Sequence, residues 1–234
     1  KKNKKIGIII EARSTSKRLP NKHFYKVKKK TMLEYLLDRA KKIKNVNCII
    51  VATTKNKSDD KICNLSKKKN INFYRGSEHN VTERVLKCAK KFKVDYICEI
   101  TGDCPIFDIE LVDQLISTFI TNTKIIDYAS HSRGLPNGMD CQIFKTEILE
   151  KSFKEIKNNQ EEQEHVTLNM RRNSKKYKMF YLTPSKKYYW PKLGITLDEI
   201  RDYNLLKKII LYLLNKNKKY FNCLDVIELL KKKK

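Results

Sequence analysis

Short apolar runs alternate with amphipathic stretches through the first half of this 234-residue chain, and that alternation restricts its fold more than any other feature. Residues 6–10 read as a buried strand, 47–52 as a second, 71–74 as a short third and 95–101 as a fourth. Between them, 31–44 carries Met32, Leu33, Leu36 and Leu37 at helical spacing. Ser58-Asp59-Asp60 reads as a helix start with Ser58 as its cap, and 80–91 and 108–121 read as further helices. Strands that alternate with helices need crossover connections. The expected fold is therefore α/β: a doubly wound, three-layer α/β/α, Rossmann-like sheet with helices on both faces.

Beyond residue 131 the pattern changes. Turn residues make 131–138 a loop, 141–144 a strand, 145–157 and 161–172 helical stretches, and 177–182 another strand. A run at 195–197 then meets Asp198, before a long helix over 201–214. The expectation is a single domain over 1–234, with 131–185 as a small inserted arm of the kind that carries dimer contacts and part of a pocket.

Composition removes several classes. Hydrophobic residues make up 40% and aromatics 9%, too much apolar material for a disordered chain. No run approaches the roughly 20 apolar residues of a membrane span, and no signal peptide is read at the Lys-rich start, so a cytoplasmic protein is expected. The formal charge of +26 invites a nucleic-acid reading, but 43 of the 52 basic residues are Lys and no Arg-rich or aromatic-interleaved tract occurs. A solvated lysine surface is the preferred reading. Within it, residues 95–130 hold seven acids and one base, an acidic island that suits a cation. The seven cysteines are irregularly spaced and form no C-x-x-C pair. Buried free thiols are expected, with Cys104, beside Asp103, set apart as a reactive-thiol candidate.

Ligands of open α/β sheets bind beyond the carboxyl ends of the strands, and three segments there have reactive composition. Glu11-Ala12-Arg13-Ser14-Thr15-Ser16-Lys17-Arg18-Leu19-Pro20-Asn21-Lys22 offers amides, hydroxyls and cations suited to a polyphosphate, without the signature of a P-loop. Ile100-Thr101-Gly102-Asp103-Cys104-Pro105 presents Asp103 at a strand end, placed to hold Mg²⁺ on a triphosphate. Thr196-Leu197-Asp198-Glu199 repeats that arrangement; alone Asp198 reads as a helix cap, but two strand-end aspartates that converge read as metal ligands.

These segments resemble those of the cytidylyltransferases that make CMP-activated sugars. Residues 12–22 resemble the family's Ala-Arg-x-x-Ser-x-Arg/Gly-Leu-Pro-x-Lys loop. Phe73-Tyr74-Arg75-Gly76-Ser77, Asn80-Val81-Thr82-Glu83-Arg84-Val85, Thr101-Gly102-Asp103-Cys104-Pro105, Glu164-His165-Val166-Thr167 and Thr196-Leu197-Asp198 are similar to the spore-coat polysaccharide branch, in order over about 6–214. The resemblance implies transfer of CMP from CTP to an acidic sugar, a nonulosonic or other 2-keto-3-deoxy acid, with pyrophosphate leaving. It makes Arg13, Lys22 and Asp103 catalytic, places Ala12, Arg13, Ser14, Ser16, Lys22 and Arg75 at the nucleotide, and gives Mg²⁺ to Asp103 and Asp198. Arg133, Asn137 and His165 would meet the acceptor, and a homodimer is implied. Ser14-Thr15 departs from the common Gly-Gly form of the loop and has less backbone freedom.

Two other readings compete. One is a nucleotidyltransferase that uses another nucleotide or a phosphorylated sugar or polyol acceptor. The other is a basic nucleic-acid-binding module, which would bind DNA or RNA with a steep salt dependence and gives no reason for the paired aspartates.

Overall fold

The computed structural model describes residues 3–156 and 159–232. Its first strand, β1 (Ile6–Glu11), pairs in parallel with both β4 (Cys48–Thr54) and β6 (Tyr96–Thr101), and β4 pairs in parallel with β5 (Asn72–Gly76). Their near-continuous apolar sequence reflects burial on both faces. Ile8, Ile10, Val51, Cys98 and Ile100 pack with α1 (Met32–Ala40), α2 (Asp60–Lys68) and α4 (Ile109–Thr121). The alternate residues Ile9, Ile50, Ala52 and Ile97 pack with α3 (Val81–Lys91) and α5 (Thr146–Ile156). The expected three layers follow.

The second half of the sheet has a reversal that the apolar pattern does not announce. β8 (Gln142–Lys145) runs antiparallel to both β6 and β7 (Tyr128–His131), while β9 (Met179–Leu182) is parallel to β7. The order is β5-β4-β1-β6-β8-β7-β9. Of the stretch 131–185 expected as an arm, β8 and β9 are members of the central sheet, and the remainder is mainly helical. A small hairpin, β2 (Lys26–Val27) and β3 (Lys30–Thr31), lies outside the sheet.

Several predicted bounds move for local reasons. The helix expected over 31–44 ends at Ala40, with Thr31 as N-cap in a reciprocal capping box with Glu34. Ser58 does not cap α2; a short 3-10 turn, Lys57–Asp59, precedes it. The stretch 161–172 splits into α6 (Gln160–Glu164) and α7 (Leu168–Arg172), because His165 is extended. Residues 195–197 are not a strand; Asn137 bridges Gly194 in isolation. Lys157, the expected last residue of its helix, lies outside the described residues. Two C-terminal helices, α8 (Ile200–Asn215) and α9 (Cys223–Lys231), bury Leu206, Ile210, Val226 and Ile227 against Leu19, Met32 and Ile106.

Gly102 marks where β6 meets the site. Its N–H donates to the Glu11 carbonyl at 2.9 Å, and a Cβ there would lie 2.4 Å from that oxygen. Gly102→Ala is expected to cost about 1–3 kcal/mol through forced displacement of one strand end. Gly194→Ala, with nothing within 4 Å of the added carbon, is the near-neutral control in urea titrations. Equal midpoints would overturn this account.

Candidate active site

The 12–22 loop leaves β1 at the carboxyl end of the sheet, where Ala12 N–H donates to the Ala52 carbonyl. A buried carboxylate anchors it. Asp59, wholly inaccessible, accepts from Ser14 N–H at 2.7 Å and from the Thr54 hydroxyl at 2.5 Å. Burial opposes the charge, but hydrogen bonds from Thr54 and Ser14 outweigh it and hold Asp59 below its ordinary value. The Ser14 hydroxyl turns to the Ser58 carbonyl, and Asn21 N–H closes the loop on the Ser14 carbonyl.

Beyond this anchor, the loop meets the end of β6 and the segment that leads into α8. Lys22 Nζ stands 3.1 Å from Asp198 and 3.5 Å from Asp103, and Arg18 reaches Asp198 at 3.0 Å. The two aspartate segments are stitched directly by Leu197 N–H to the Asp103 carbonyl at 2.7 Å. Burial works to raise Asp103, yet Lys22, the Thr101 hydroxyl and His23 bring it below its ordinary value. His23, 2% exposed, is lowered to about 4 by burial and then by Lys22, and so stays neutral.

A cleft of about 730 Å³ opens over these groups. Of the expected nucleotide, metal and acceptor residues, Ala12, Arg13, Ser16, Lys22, Asp103, His165 and Asp198 line it. Arg13 spans the cleft, donating to the Glu78 carbonyl at 2.9 Å and to Glu164 at 3.0 Å, which ties the loop to the residue before His165. The remaining expected residues stand elsewhere. Ser14 is committed to the loop anchor. Arg75 is held by Asp60 and by the carbonyls of Thr54 and Asn56, outside the cleft lining. Arg133 and Asn137 are exposed and do not line the cleft either. The Cys104 thiol is pushed well above its ordinary value by burial and then by Asp103, which disfavours a reactive thiolate.

Sequence reasoning missed two features. Arg84, 2% exposed, lines the cleft and donates to the Ser77 carbonyl at 2.5 Å. Its signal was an arginine among Val81, Val85 and Cys88 on the apolar face of α3. Glu11, also in the lining, lies beside the buried Glu99 carboxyl; burial and then Glu99 push Glu11 well upward, and burial raises Glu99 as well. The acidic island is otherwise dispersed among structural partners: Asp108 caps α4, Asp113 accepts from Lys44 N–H, and Asp127 pairs with Lys145. Among the described residues no three His, Cys, Asp or Glu groups form a metal cluster.

Comparison with known proteins gives this arrangement a context. Residues 7–233 match the family model described as cytidylyltransferase. An uncharacterized protein of Methanocaldococcus jannaschii is 38% identical over 86% of this chain and 81% of its own length. The Bacillus subtilis spore coat polysaccharide biosynthesis protein SpsF is 27% identical over 87% and 85%. A 3-deoxy-manno-octulosonate cytidylyltransferase of Fusobacterium nucleatum is 36% identical over 50% of this chain and 47% of its own. Among solved structures, a cytidylyltransferase from Leptospira borgpetersenii superposes with a TM-score of 0.91 at 34% identity, covering 99% of this chain and 95% of the other.

The anchor is directly testable. Asp59→Asn is expected to destabilise the protein by about 1.5–3 kcal/mol near pH 7, the usual worth of hydrogen bonds to a charged group. Because the folded carboxylate titrates below its ordinary value of 3.8, this contribution is complete above that pH and is lost as pH falls through the lower folded value. The difference between wild type and variant in urea titrations should therefore shrink in acid. A gap that stays constant down to pH 2.5 would refute a charged anchor.

Proposed function

The chain belongs to the cytidylyltransferase family, a CTP-dependent nucleotidyltransferase, and from that premise we propose that it joins the α-phosphate of CTP to an oxygen of an acidic sugar. The acceptor in this reading is a nonulosonic or other 2-keto-3-deoxy acid, pyrophosphate leaves, and the CMP-sugar serves surface polysaccharide synthesis. The observation that carries the reading is the convergence of Lys22, Asp103 and Asp198 at the mouth of a cleft lined by the 12–22 loop. The SpsF and octulosonate relatives support the acceptor class.

The residues present fit Mg²⁺. Asp103 and Asp198 are hard oxygen donors that both reach one ammonium within 3.5 Å. Mg²⁺ commonly takes one or two carboxylates and completes its shell with phosphate oxygens and water, so a closed protein cage is not required. When bound, Mg²⁺ supplies charge neutralisation across phosphate oxygens. Lys22 and Arg13 are assigned to the triphosphate, where their charge stabilises the departing pyrophosphate. Ala12 and Ser16 bring the loop against the nucleotide, whereas Ser14 supports it from behind. His165 is assigned to the acceptor ahead of Arg133 and Asn137, since it alone of the three lines the cleft. A homodimer built on 131–185 is part of the proposal: β9 is an edge strand and exposes Tyr181, as unpaired edges that meet partners do. So is a cytoplasmic setting.

A thermal-shift titration with the four nucleoside triphosphates and Mg²⁺ tests the nucleotide. CTP near 100 times its dissociation constant should stabilise by about 2.7 kcal/mol, with the other three well below it; a purine preference would sink the assignment. Lys22→Ala is expected to reduce turnover about 100-fold or more, and Asp103→Asn to abolish Mg²⁺-dependent pyrophosphate release with the fold intact by circular dichroism. Wild-type rates in either variant would remove that residue from the proposed machinery.

A further inference from the structure

A second cavity, of about 760 Å³, shares no lining residue with the cleft described above. It is bounded by the β2–β3 hairpin, by α1 and by the connection between α8 and α9. Tyr35, Leu214, Tyr220 and Phe221 give it an apolar, largely aromatic lining, and Lys28, Lys29, Lys30 and Lys219 add cations. Asp38 is the acid in that lining, and Lys30 and Lys69 already hold it at 2.5 and 2.9 Å.

Arg39 provides an independent observation. Its side chain lines the cavity at 3% exposure, and its partners are two backbone carbonyls, Phe107 at 3.2 Å and Phe221 at 2.7 Å. The guanidinium lies over the Phe221 ring, 4.5 Å from its centroid. Among the described residues no ion pair to Arg39 is formed, and burial lowers it to about 10. Asp108 and Asp225 act on it through space without a direct contact, and a buried cation whose hydrogen bonds go only to carbonyls gains more from an added anion than a surface lysine does. Aromatic faces beside it suit a flat body attached to that anion. A cavity of this volume is the size of a small-molecule site. A second copy of the chain is a poor occupant, since it would bring the same lysines against these.

We propose that this cavity is an effector site for a phosphate ester of a flat, apolar ring. Its walls lead to the active site by short routes. Arg39 holds the carbonyl of Phe107, whose N–H donates to the Cys104 carbonyl, and Cys104 N–H in turn closes on the Thr101 carbonyl across Asp103. The hairpin follows the Lys22–Phe24 turn directly, and Met32 N–H returns to the Tyr25 carbonyl. A ligand that shifts Arg39 or the hairpin therefore acts on Asp103 and Lys22, and linkage makes the coupling reciprocal.

Calorimetric titration of the full chain with phenyl phosphate tests the site, with inorganic phosphate and phenol as separate arms. Phenyl phosphate should bind at one site at least about tenfold more tightly than either fragment. Lys29→Glu and Tyr220→Ala, both outside the proposed catalytic machinery, should each weaken it about tenfold while leaving CTP binding in its absence unchanged. Saturating phenyl phosphate should change CTP affinity about threefold or more in the wild type and not in the variants. Absent binding, equal binding of inorganic phosphate, or binding that survives both variants overturns the site, and unchanged CTP affinity overturns the effector role. Failure of CTP itself to bind would refute the nucleotide reading separately, because phenyl phosphate binding is read without CTP.

Discussion

One ammonium organises the carboxyl end of this sheet. Lys22 Nζ meets carboxylates from two segments 95 residues apart in sequence, Asp103 after β6 and Asp198 before α8. Its side chain is 11% exposed, and the two carboxylates supply the opposite charge that a buried ammonium needs. The aspartates in turn share that cation, and Arg18 adds a second one on Asp198. The backbone prepares the meeting. Leu197 N–H joins the Asp103 carbonyl, Gly102 N–H joins the Glu11 carbonyl, and Asp59 draws in the Ser14 amide. Each contact fixes a loop that would otherwise sample many conformations, so the cost of ordering the site is met during folding rather than on ligand binding.

This arrangement separates two roles of charge that the composition merges. The surface carries most of the +26, as lysines spread over helices, whereas the cleft is close to balance. Its lining holds Arg13, Lys17, Arg18, Lys22 and Arg84 against Glu11, Glu78, Asp103, Glu164 and Asp198. The surface field draws in polyanions in general and does so less at high salt. In the proposed reading, discrimination among them comes from placed groups such as the Arg13 fork.

The parallel half of the fold was legible because its strands are apolar throughout and its helices carry apolar faces at regular spacing. Asp103 was picked out by the turn that follows its apolar run, whereas Asp198, which alone reads as a helix cap, was picked out only by its pairing with Asp103. What was illegible depends on tertiary context. Nothing in Cys141–Lys145 distinguishes an antiparallel strand from a parallel one, since both faces are buried either way. Ser14 reads as a phosphate donor until Asp59 and Ser58 claim its amide and hydroxyl. Arg75 and Arg84 are equivalent in composition, yet only Arg84 lies on a helix face that turns into the cleft. His165 reads as helical because no Gly or Pro announces the break between α6 and α7, while its extended backbone is what brings it to the cleft wall.

The Glu11–Glu99 pair sits at the seam where the parallel half of the sheet, through β6, meets the antiparallel strand β8. Glu11 ends the strand that feeds the 12–22 loop, and Glu99 lies opposite Gln142 on the antiparallel strand β8. Gln142 accepts from the hydroxyls of Tyr128 and Thr167, so a continuous polar row crosses β1, β6, β8 and β7 on the face below α6 and α7. An apolar row would have served packing better, because each buried polar group must find a partner to avoid a cost of about 1–3 kcal/mol. The hydroxyls settle the Gln142 amide oxygen, whereas Glu11 Oε1 and Glu99 Oε2 are buried without a hydrogen-bond partner. The polar row begins at the cleft wall that Glu11 forms, so its cost falls beside the site rather than deep in the core.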